Sequence, residues 1–418
     1  MTLRIAFVVQ RYGDEITGGA ERLCQQVAER LAQRAAVDVL TTTALDYRTW
    51  AIHYPSGSST LHGVSVRRFP VAGERAADFE RFSARLFAGS HALADERRWL
   101  DKQGPLAPDL LAYLRDAGRG YDAVVFFTYL YSPTVDGLPL VAERAILAPT
   151  AHDEPPLGLR IYDPLFAAAR HLLYLTEPER RLVERRFAVQ HIPATVVGAA
   201  VDAAPGDGAG FRARRGLDGD VLLYAGRVEP GKGCADLLAF HRAARARHQR
   251  LHLVLLGQRA MTIPDDPFVH ALGFVSEEEK RDALAAATVV VAPARHESLC
   301  LAALEAWACG KPVLANAQCE VLVHHCLASN AGLFYGDSAE FAAGLDLLLA
   351  RPDLRAALGR NGQRYVARHY AWPAVEGRWW QALEAVSRQH SALSDQQWLG
   401  AGAVPSDGTG RALPATDH

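Results

Sequence analysis

Glu297 and Glu305 stand eight positions apart in the run His296-Glu297-Ser298-Leu299-Cys300-Leu301-Ala302-Ala303-Leu304-Glu305. A β-type run over 289–293 precedes them, and a helix is expected over 300–309. Glu297 therefore falls in the loop at the helix mouth and Glu305 inside the helix. If most of the interval is helical, ~1.5 Å of rise per residue puts the carboxylates roughly 10–12 Å apart. That span suits one carboxylate on a hexose and the other on a ribose, with a diphosphate between. The backbone N–H groups at the helix start, around Ser298, Leu299, Cys300 and Leu301, would face the phosphates with the positive end of the helix dipole. The competing reading makes Glu297 a helix-start charge and Glu305 a solvated face. The apolar neighbours Leu301, Leu304, Ala308 and Cys309 count against the second half of it.

Three further runs point to the same chemistry. In Ala225-Gly226-Arg227-Val228-Glu229-Pro230-Gly231-Lys232-Gly233, glycines let the backbone approach an anion. Arg227 offers a planar fork and Lys232 a point charge to phosphate oxygens. Gly18 and Gly19 open a helix with Ala20 and Glu21, allowing backbone contact with a ligand. Pro149-Thr150-Ala151-His152-Asp153-Glu154 puts a histidine and two acids after a strand, where α/β sheets bind ligands. Each run alone is also compatible with an ordinary turn.

The elements that position these loops read as two strand–helix series. Residues 4–10, a glycine loop over 12–19, a helix over 20–34 and a strand over 37–40 make a Rossmann-type opening. Further strands are expected at 64–69, 123–127, 145–148, 171–175 and 195–197, and the stretch 78–114 reads as two or three helices. Residues 203–219, rich in Gly, Ala, Asp and Arg, are the expected junction. A second series follows, with strands at 221–225, 251–256, 269–274, 289–292 and 312–315 and a helix over 235–248. The expected division is 1–202, a linker 203–219, 220–368, a final helix 369–387 carrying Trp379, Trp380 and Leu383, and a disordered tail 388–418.

The 418 residues, 49% hydrophobic and 22% charged, suffice for two cores, and a formal net charge of −2 argues against a nucleic-acid partner. The cysteines at 24, 234, 300, 309, 319 and 326 form no C-x-x-C and read as reduced thiols in a cytoplasmic protein. Cys319, His324, His325 and Cys326 match no zinc spacing and read as buried thiols and surface histidines. No signal peptide is visible, and no apolar run approaches the ~20 residues of a membrane span. The stretch Glu179-Arg180-Arg181-Leu182-Val183-Glu184-Arg185-Arg186-Phe187, with Arg81, Phe82, Arg85, Leu86 and Phe87, mixes arginine with large apolar residues. It suits adsorption to the inner face of an anionic membrane; the alternative is a solvated arginine face with Glu179 and Glu184 in helix-surface pairs.

In combination, the Glu-x7-Glu element, the following Ala-Trp-Ala-Cys-Gly-Lys-Pro-Val and the upstream Gly-Arg-x4-Lys resemble the retaining nucleotide-sugar glycosyltransferases of group 1, family 4, over roughly residues 3–385. The resemblance implies the GT-B fold: α/β, two facing Rossmann-like domains, and a C-terminal helix crossing back to the first. It implies that Glu305 binds the donor ribose and Glu297 the sugar hydroxyls. Arg227 and Lys232 would neutralise the diphosphate, Gly18 and Gly19 would lie near the phosphates and acceptor, and His152 beside the reacting sugar, with Asp153 its rival as a base. The donor base would sit near Gly257, Phe274 and Val275. The partners implied are a nucleotide-sugar donor and a hydroxyl acceptor; no cofactor is implied. The family often has glycine where this chain has Cys300.

Rival readings are a sugar-nucleotide epimerase, a glycogen-type phosphorylase, a non-catalytic nucleotide-binding protein and an NAD oxidoreductase. No lysine stands in an obvious pyridoxal motif, and the first loop lacks G-x-G-x-x-G. Asp265-Asp266, between prolines, reads as a turn rather than a metal site, so the charge role is expected to fall to cations of the chain.

Overall fold

The computed structural model describes residues 2–16 and 18–401, and side-chain surroundings as far as residue 388. The first sheet holds β1 (Arg4–Val8), β2 (Ala36–Thr42), β3 (Gly57–Leu61), β4 (Val64–Phe69), β5 (Ala123–Phe127), β6 (Ala145–Ala148), β7 (His171–Tyr174) and β8 (Ala194–Val196). Their order is β3-β4-β2-β1-β5-β6-β7-β8. All neighbours run parallel except the β3–β4 pair. Ile5, Phe7 and Val8 are fully buried, as are Val124 to Phe127. Continuous apolar runs of this kind mark strands covered by helices on both faces.

The second sheet is wholly parallel and holds β9 (Asp220–Ala225), β10 (Leu251–Leu256), β11 (Val269–Gly273), β12 (Val289–Ala292), β13 (Val313–Asn316) and β14 (Gly332–Tyr335). Its order is β11-β10-β9-β12-β13-β14. In both sheets the order reverses beside the first strand, β1 or β9, and such switch points leave a crevice at the carboxyl ends of the strands. The loops that carry the residues singled out in the sequence leave from those ends.

Several boundaries differ from the sequence expectation. The expected junction 203–219 is not free linker. Asp207 caps a helix, Gly208–Arg215, by accepting from the Gly210 N–H at 2.8 Å. Phe211 is fully buried, and Arg212 donates to the Ala286 carbonyl at 2.7 Å, which binds this helix to the second domain. The stretch 78–114 resolves into helices Phe79–Ala88, Leu93–Gln103 and Pro108–Ala117. The first helix spans Gly19–Leu31. β3 and β14 were not anticipated.

The last helix, Trp372–Ala401, continues past the expected limit at 387. Residues 388–399 contain neither glycine nor proline to stop it. The expected tail from 402 to 418 lies outside the described residues. This helix crosses back to the first domain. Trp379, 1% exposed, stacks on Phe127 with ring centroids 5.9 Å apart and lies 6.2 Å from Phe7. Glu376 accepts from Arg30 at 2.6 Å, and Arg378 donates to the Val197 carbonyl at 3.1 Å.

Candidate functional site

The carboxyl end of the second sheet supplies most of the site. After β9 the chain turns through Gly226 and Arg227 into a short 3-10 turn, Pro230–Lys232, and the helix Cys234–Ala244. Gly233 sits at φ 76°, and a Cβ there would come within 2.3 Å of the Pro293 carbonyl. Only glycine lets this loop close on the one after β12. That closure brings Lys232 Nζ to 2.8 Å from Glu297 Oε1. Burial alone would lower the Lys232 ammonium, but the Glu297 carboxylate outweighs it and holds the lysine above its ordinary range. The pair joins two sequence-predicted residues 65 positions apart.

Glu305 is held in the same manner. Lys280, on the helix Glu277–Ala286 after β11, reaches Glu305 Oε1 at 2.8 Å and Glu277 Oε2 at 2.8 Å. Burial raises the Glu305 carboxyl above the usual range against the pull of Lys280. Burial opposes protonation of Lys280, and the two carboxylates overcome it. Lys280 and Glu277 were missed in the sequence: Glu277-Glu278-Glu279-Lys280 reads as ordinary helix-start charge, and nothing in it names a partner 25 residues on.

The helix expected over 300–309 is Leu301–Ala308, and Cys300 stands before it at φ 63°, ψ 72°. This left-handed conformation favours glycine and strains a side chain with a Cβ. Cys300 thus occupies a glycine-type position at the helix mouth, the place where the sequence departs from its resemblance. Burial first, and Glu297 second, push its thiol well above the ordinary range. Leu299 is buried beneath the loop, while Ser298 and Leu301 remain partly open. Phe274 is 72% exposed in the loop after β11, and Val275 is half-buried beside it. The aromatic face is free at the place expected for a base.

The first domain faces this site with three loops. Gly18 caps the first helix, and a Cβ there would lie 2.1 Å from the Glu21 carboxylate; one at Gly19 would meet nothing within 4 Å. Gly18 therefore leaves room for a buried network in which Glu21 accepts from Gln10 at 2.8 Å and Arg11 at 2.5 Å, and Gly19 is the open one. After β6, His152 contacts Glu154, not Asp153, with Nδ1 3.3 Å from Oε1. Burial opposes its protonation, but Glu154 holds the imidazole above its ordinary range. Asp153 is exposed.

Contacts across the cleft connect these parts. The His152 and His296 rings lie 6.3 Å apart. Arg227 donates to the Tyr47 hydroxyl at 3.0 Å, and Thr176 Oγ1 donates to the Ser298 carbonyl at 3.1 Å. Tyr47 and Thr176 carried no signal in the sequence. Arg181 bonds Glu320 of the second domain at 2.9 Å, and Arg185 lies 3.8 Å from the same carboxylate.

The arginines of 180–186 stay partly exposed and are paired with carboxylates. Arg180 holds Glu184 and Arg186 holds Asp163, while Phe187 stacks on Phe166 and Phe82 and Leu86 point into the core. Glu179 is buried, not a surface partner. His325, expected at the surface, is fully buried and bonded to the Tyr365 hydroxyl at 3.0 Å. Among the described residues no group of three or more His, Cys, Asp or Glu is placed to hold a metal ion, and no helix is long and apolar enough to cross a membrane.

Residues 219–351 match the family model described as glycosyl transferases group 1. That segment contains Arg227, Lys232, Glu297 and Glu305. The two Rossmann-like domains and the helix that crosses back between them form the GT-B fold, and the second of these domains carries the match to group 1 glycosyl transferases.

Among its relatives is a D-inositol 3-phosphate glycosyltransferase of Frankia alni, 33% identical over 56% of this chain and 63% of the relative. One from Acidothermus cellulolyticus is 30% identical over 62% of this chain and 65% of the relative. The chain thus spans a little under two thirds of these relatives. A third, from Geodermatophilus obscurus, is 28% identical over 91% of this chain and 87% of the relative. Among solved structures, the Anabaena protein HepE in complex with UDP and glucose superposes with a TM-score of 0.67 at 16% identity, covering 91% of this chain and 99% of that one. Sucrose-phosphate synthase from Thermosynechococcus elongatus gives 0.63 at 20% identity, covering 95% and 100%. At these identities the likeness speaks for the fold.

Proposed function

We propose that this chain transfers a sugar from a nucleoside-diphosphate sugar to an acceptor hydroxyl, with retention at the anomeric carbon. The observation that carries the reading is the pair of lysine-held carboxylates, Glu297 with Lys232 and Glu305 with Lys280, at one strand-end crevice within the matched domain. The relatives named for D-inositol 3-phosphate glycosyl transfer, and the superposing structure that holds UDP and glucose, support it.

In this reading Glu305 binds the ribose and Glu297 the sugar hydroxyls. Lys232, Arg227 and the backbone at the Leu301–Ala308 helix start take the diphosphate. The bond from the anomeric carbon to the phosphate oxygen breaks, and the acceptor oxygen bonds that carbon on the same face. The acceptor proton passes to the departing phosphate. His152, beside Glu154 at the mouth of the site, donates a ring N–H to the sugar. Arg227 and Lys232 supply the positive charge that the leaving group needs. The six free cysteines support a reducing, cytoplasmic setting.

The test is transfer from radiolabelled UDP-, GDP- and ADP-sugars to water and to a panel of polyols, sugar phosphates and glycolipids, with and without EDTA. Acceptor-dependent product of unchanged anomeric configuration, formed in EDTA, is the expected result. Conversion of the donor sugar without transfer would instead identify an epimerase. Tight binding with no turnover would identify a nucleotide-binding protein. Loss of activity in EDTA, restored by Mg or Mn, would overturn the assignment of the charge role to Arg227 and Lys232.

A further inference from the structure

One buried carboxylate has no part in the chemistry above. Glu179, 1% exposed, lies on the helix Glu177–Phe187 after β7. Thr176-x-x-Glu179 has the spacing of a capping box, and Thr176 Oγ1 does accept from the Glu179 N–H, at 3.2 Å. The carboxylate, however, also spans two loops. Oε1 accepts from the Ala151 N–H at 2.6 Å, and Oε2 from the Leu175 N–H at 2.6 Å. Ala151 immediately precedes His152, and Leu175 immediately precedes Thr176. Thr176 in turn donates to the Ser298 carbonyl, one residue past Glu297. A continuous chain of hydrogen bonds therefore runs from the histidine loop, through Glu179, to the donor loop of the opposite domain.

We infer that Glu179 is a positioning residue, whose ionised carboxylate holds the His152 loop and the Thr176–Ser298 contact in the arrangement that transfer requires. The inference rests on the function proposed above. The ionised form is needed because both oxygens accept. A protonated carboxyl would turn one of them into a donor facing a backbone N–H.

Among the described residues no lysine, arginine or histidine forms an ion pair with Glu179. The charged groups on its own helix are Glu177, the Arg180–Glu184 pair and the outward arginines. The β6 loop presents the His152–Glu154 pair, the second domain presents Lys232 with Glu297, and β7 presents the Tyr174 hydroxyl, whose ionisation Glu179 opposes. Burial pushes the Glu179 carboxyl up to about 8, against the N–H donors of Leu175, Ala151 and Thr176. A carboxyl raised on folding favours the folded state when protonated, so stability falls as the pH rises through this value. Positioning and stability thus draw in opposite directions at one side chain.

The experiment compares the full-length protein with its Glu179→Gln variant. A glutamine keeps one acceptor oxygen and resembles the protonated acid. At pH 9 the variant should show kcat lowered about tenfold, as expected for one charge-assisted hydrogen bond, with KM for the donor little changed. At pH 6 the two proteins should converge, so the rising limb of the wild-type kcat profile is absent in the variant. The variant should be no less stable than wild type at pH 9, which separates a positioning role from a structural one.

Hydrogen–deuterium exchange of the peptide containing Ala151 supplies a readout that needs no turnover. Exchange should be faster in the variant at pH 9 and equal at pH 6. Equal exchange at both pH values, or parallel kcat profiles, would overturn the inference. Faster exchange without any transferase activity would uphold the positioning role while sinking the proposed function.

Discussion

Removing Lys280 should uncover the energetics of the Glu305 site. Its ammonium lies 2.8 Å from Glu305 and 2.8 Å from Glu277, and the Lys280 and Glu305 side chains are 22% and 23% exposed. Taking one partner from a fully buried pair costs ~3–5 kcal/mol, whereas an exposed pair contributes about 0–1 kcal/mol. A pair about three-quarters removed from water falls between, so Lys280→Ala should destabilise by about 2 kcal/mol at pH 7.5. The double variant with Glu305→Ala should recover about 1–2 kcal/mol of the summed losses.

The dependence on pH has a definite sign. Glu305 is already raised above the usual carboxylate range by burial, and loss of Lys280 raises it further. The variant is therefore penalised most where Glu305 must be ionised, at pH 7.5. The penalty should fade toward pH 5 as the carboxyl takes up its proton. Urea unfolding followed by tryptophan fluorescence reads this, since Trp307 is fully buried on the same helix as Glu305. A coupling below about 0.3 kcal/mol, within the scatter of independent sites, would refute the pairing. A penalty of the same size at both pH values would assign the effect to packing of the lysine stem.

Other expectations test separate parts of the site. Cys300→Gly should remove a left-handed strain of about 1–2 kcal/mol while adding freedom to the unfolded chain, leaving the melting temperature nearly unchanged; calorimetry with free nucleoside diphosphates should show affinity equal to or tighter than wild type. Gly18→Ala places a methyl against Glu21 and should destabilise by about 1–3 kcal/mol, which denaturant titration will measure. Arg181→Glu should weaken the bond to Glu320 across the cleft and raise the donor KM severalfold, and pairing it with Glu320→Arg should restore it; failure of the exchange would place the arginine's role elsewhere. Trp379→Ala should cost about 3–5 kcal/mol and unfold the first domain at a lower urea concentration, as its stacking on Phe127 requires.

The sequence displayed the alternation of strands and helices clearly because parallel strands covered on both sides are written as unbroken apolar runs. β1, β5 and β12 are of that kind. β3, Gly-Ser-Ser-Thr-Leu at an exposed sheet edge, has neither apolar run nor alternation to mark it as a strand. The helix at 208–215 was hidden by its glycines and arginines, since its hold on the second domain rests on one buried phenylalanine, on Arg212 bonds to the Ala286 carbonyl and on pairs of Arg214 and Arg215 with Asp282 and Glu279. Glu297, Glu305, Arg227 and Lys232 stood out in the sequence as a glycine loop and a carboxylate pair at strand ends, and the fold brings Lys232 and Glu297 to 2.8 Å. Their other partners did not stand out. Lys280, Tyr47, Thr176 and Glu320 owe their roles to contacts between separate elements, and short-range spacing carries no record of those. For the arginines of 180–186 the sequence left two readings, and the Arg180–Glu184 pair fits the one that placed glutamates in helix-surface pairs.

The chain passes between the two domains twice, at about 197–202 and again at 370–372. These passages lie side by side, for the Val201 N–H bonds the Tyr370 carbonyl at 3.0 Å. Two bodies strung on adjacent cords can swing like a door on one jamb, but they cannot slide or twist apart freely. Opening the far edge would break the Arg227–Tyr47, Thr176–Ser298 and Arg181–Glu320 contacts while leaving the jamb intact. Each swing shut would return the His152 and His296 rings to the same 6.3 Å register.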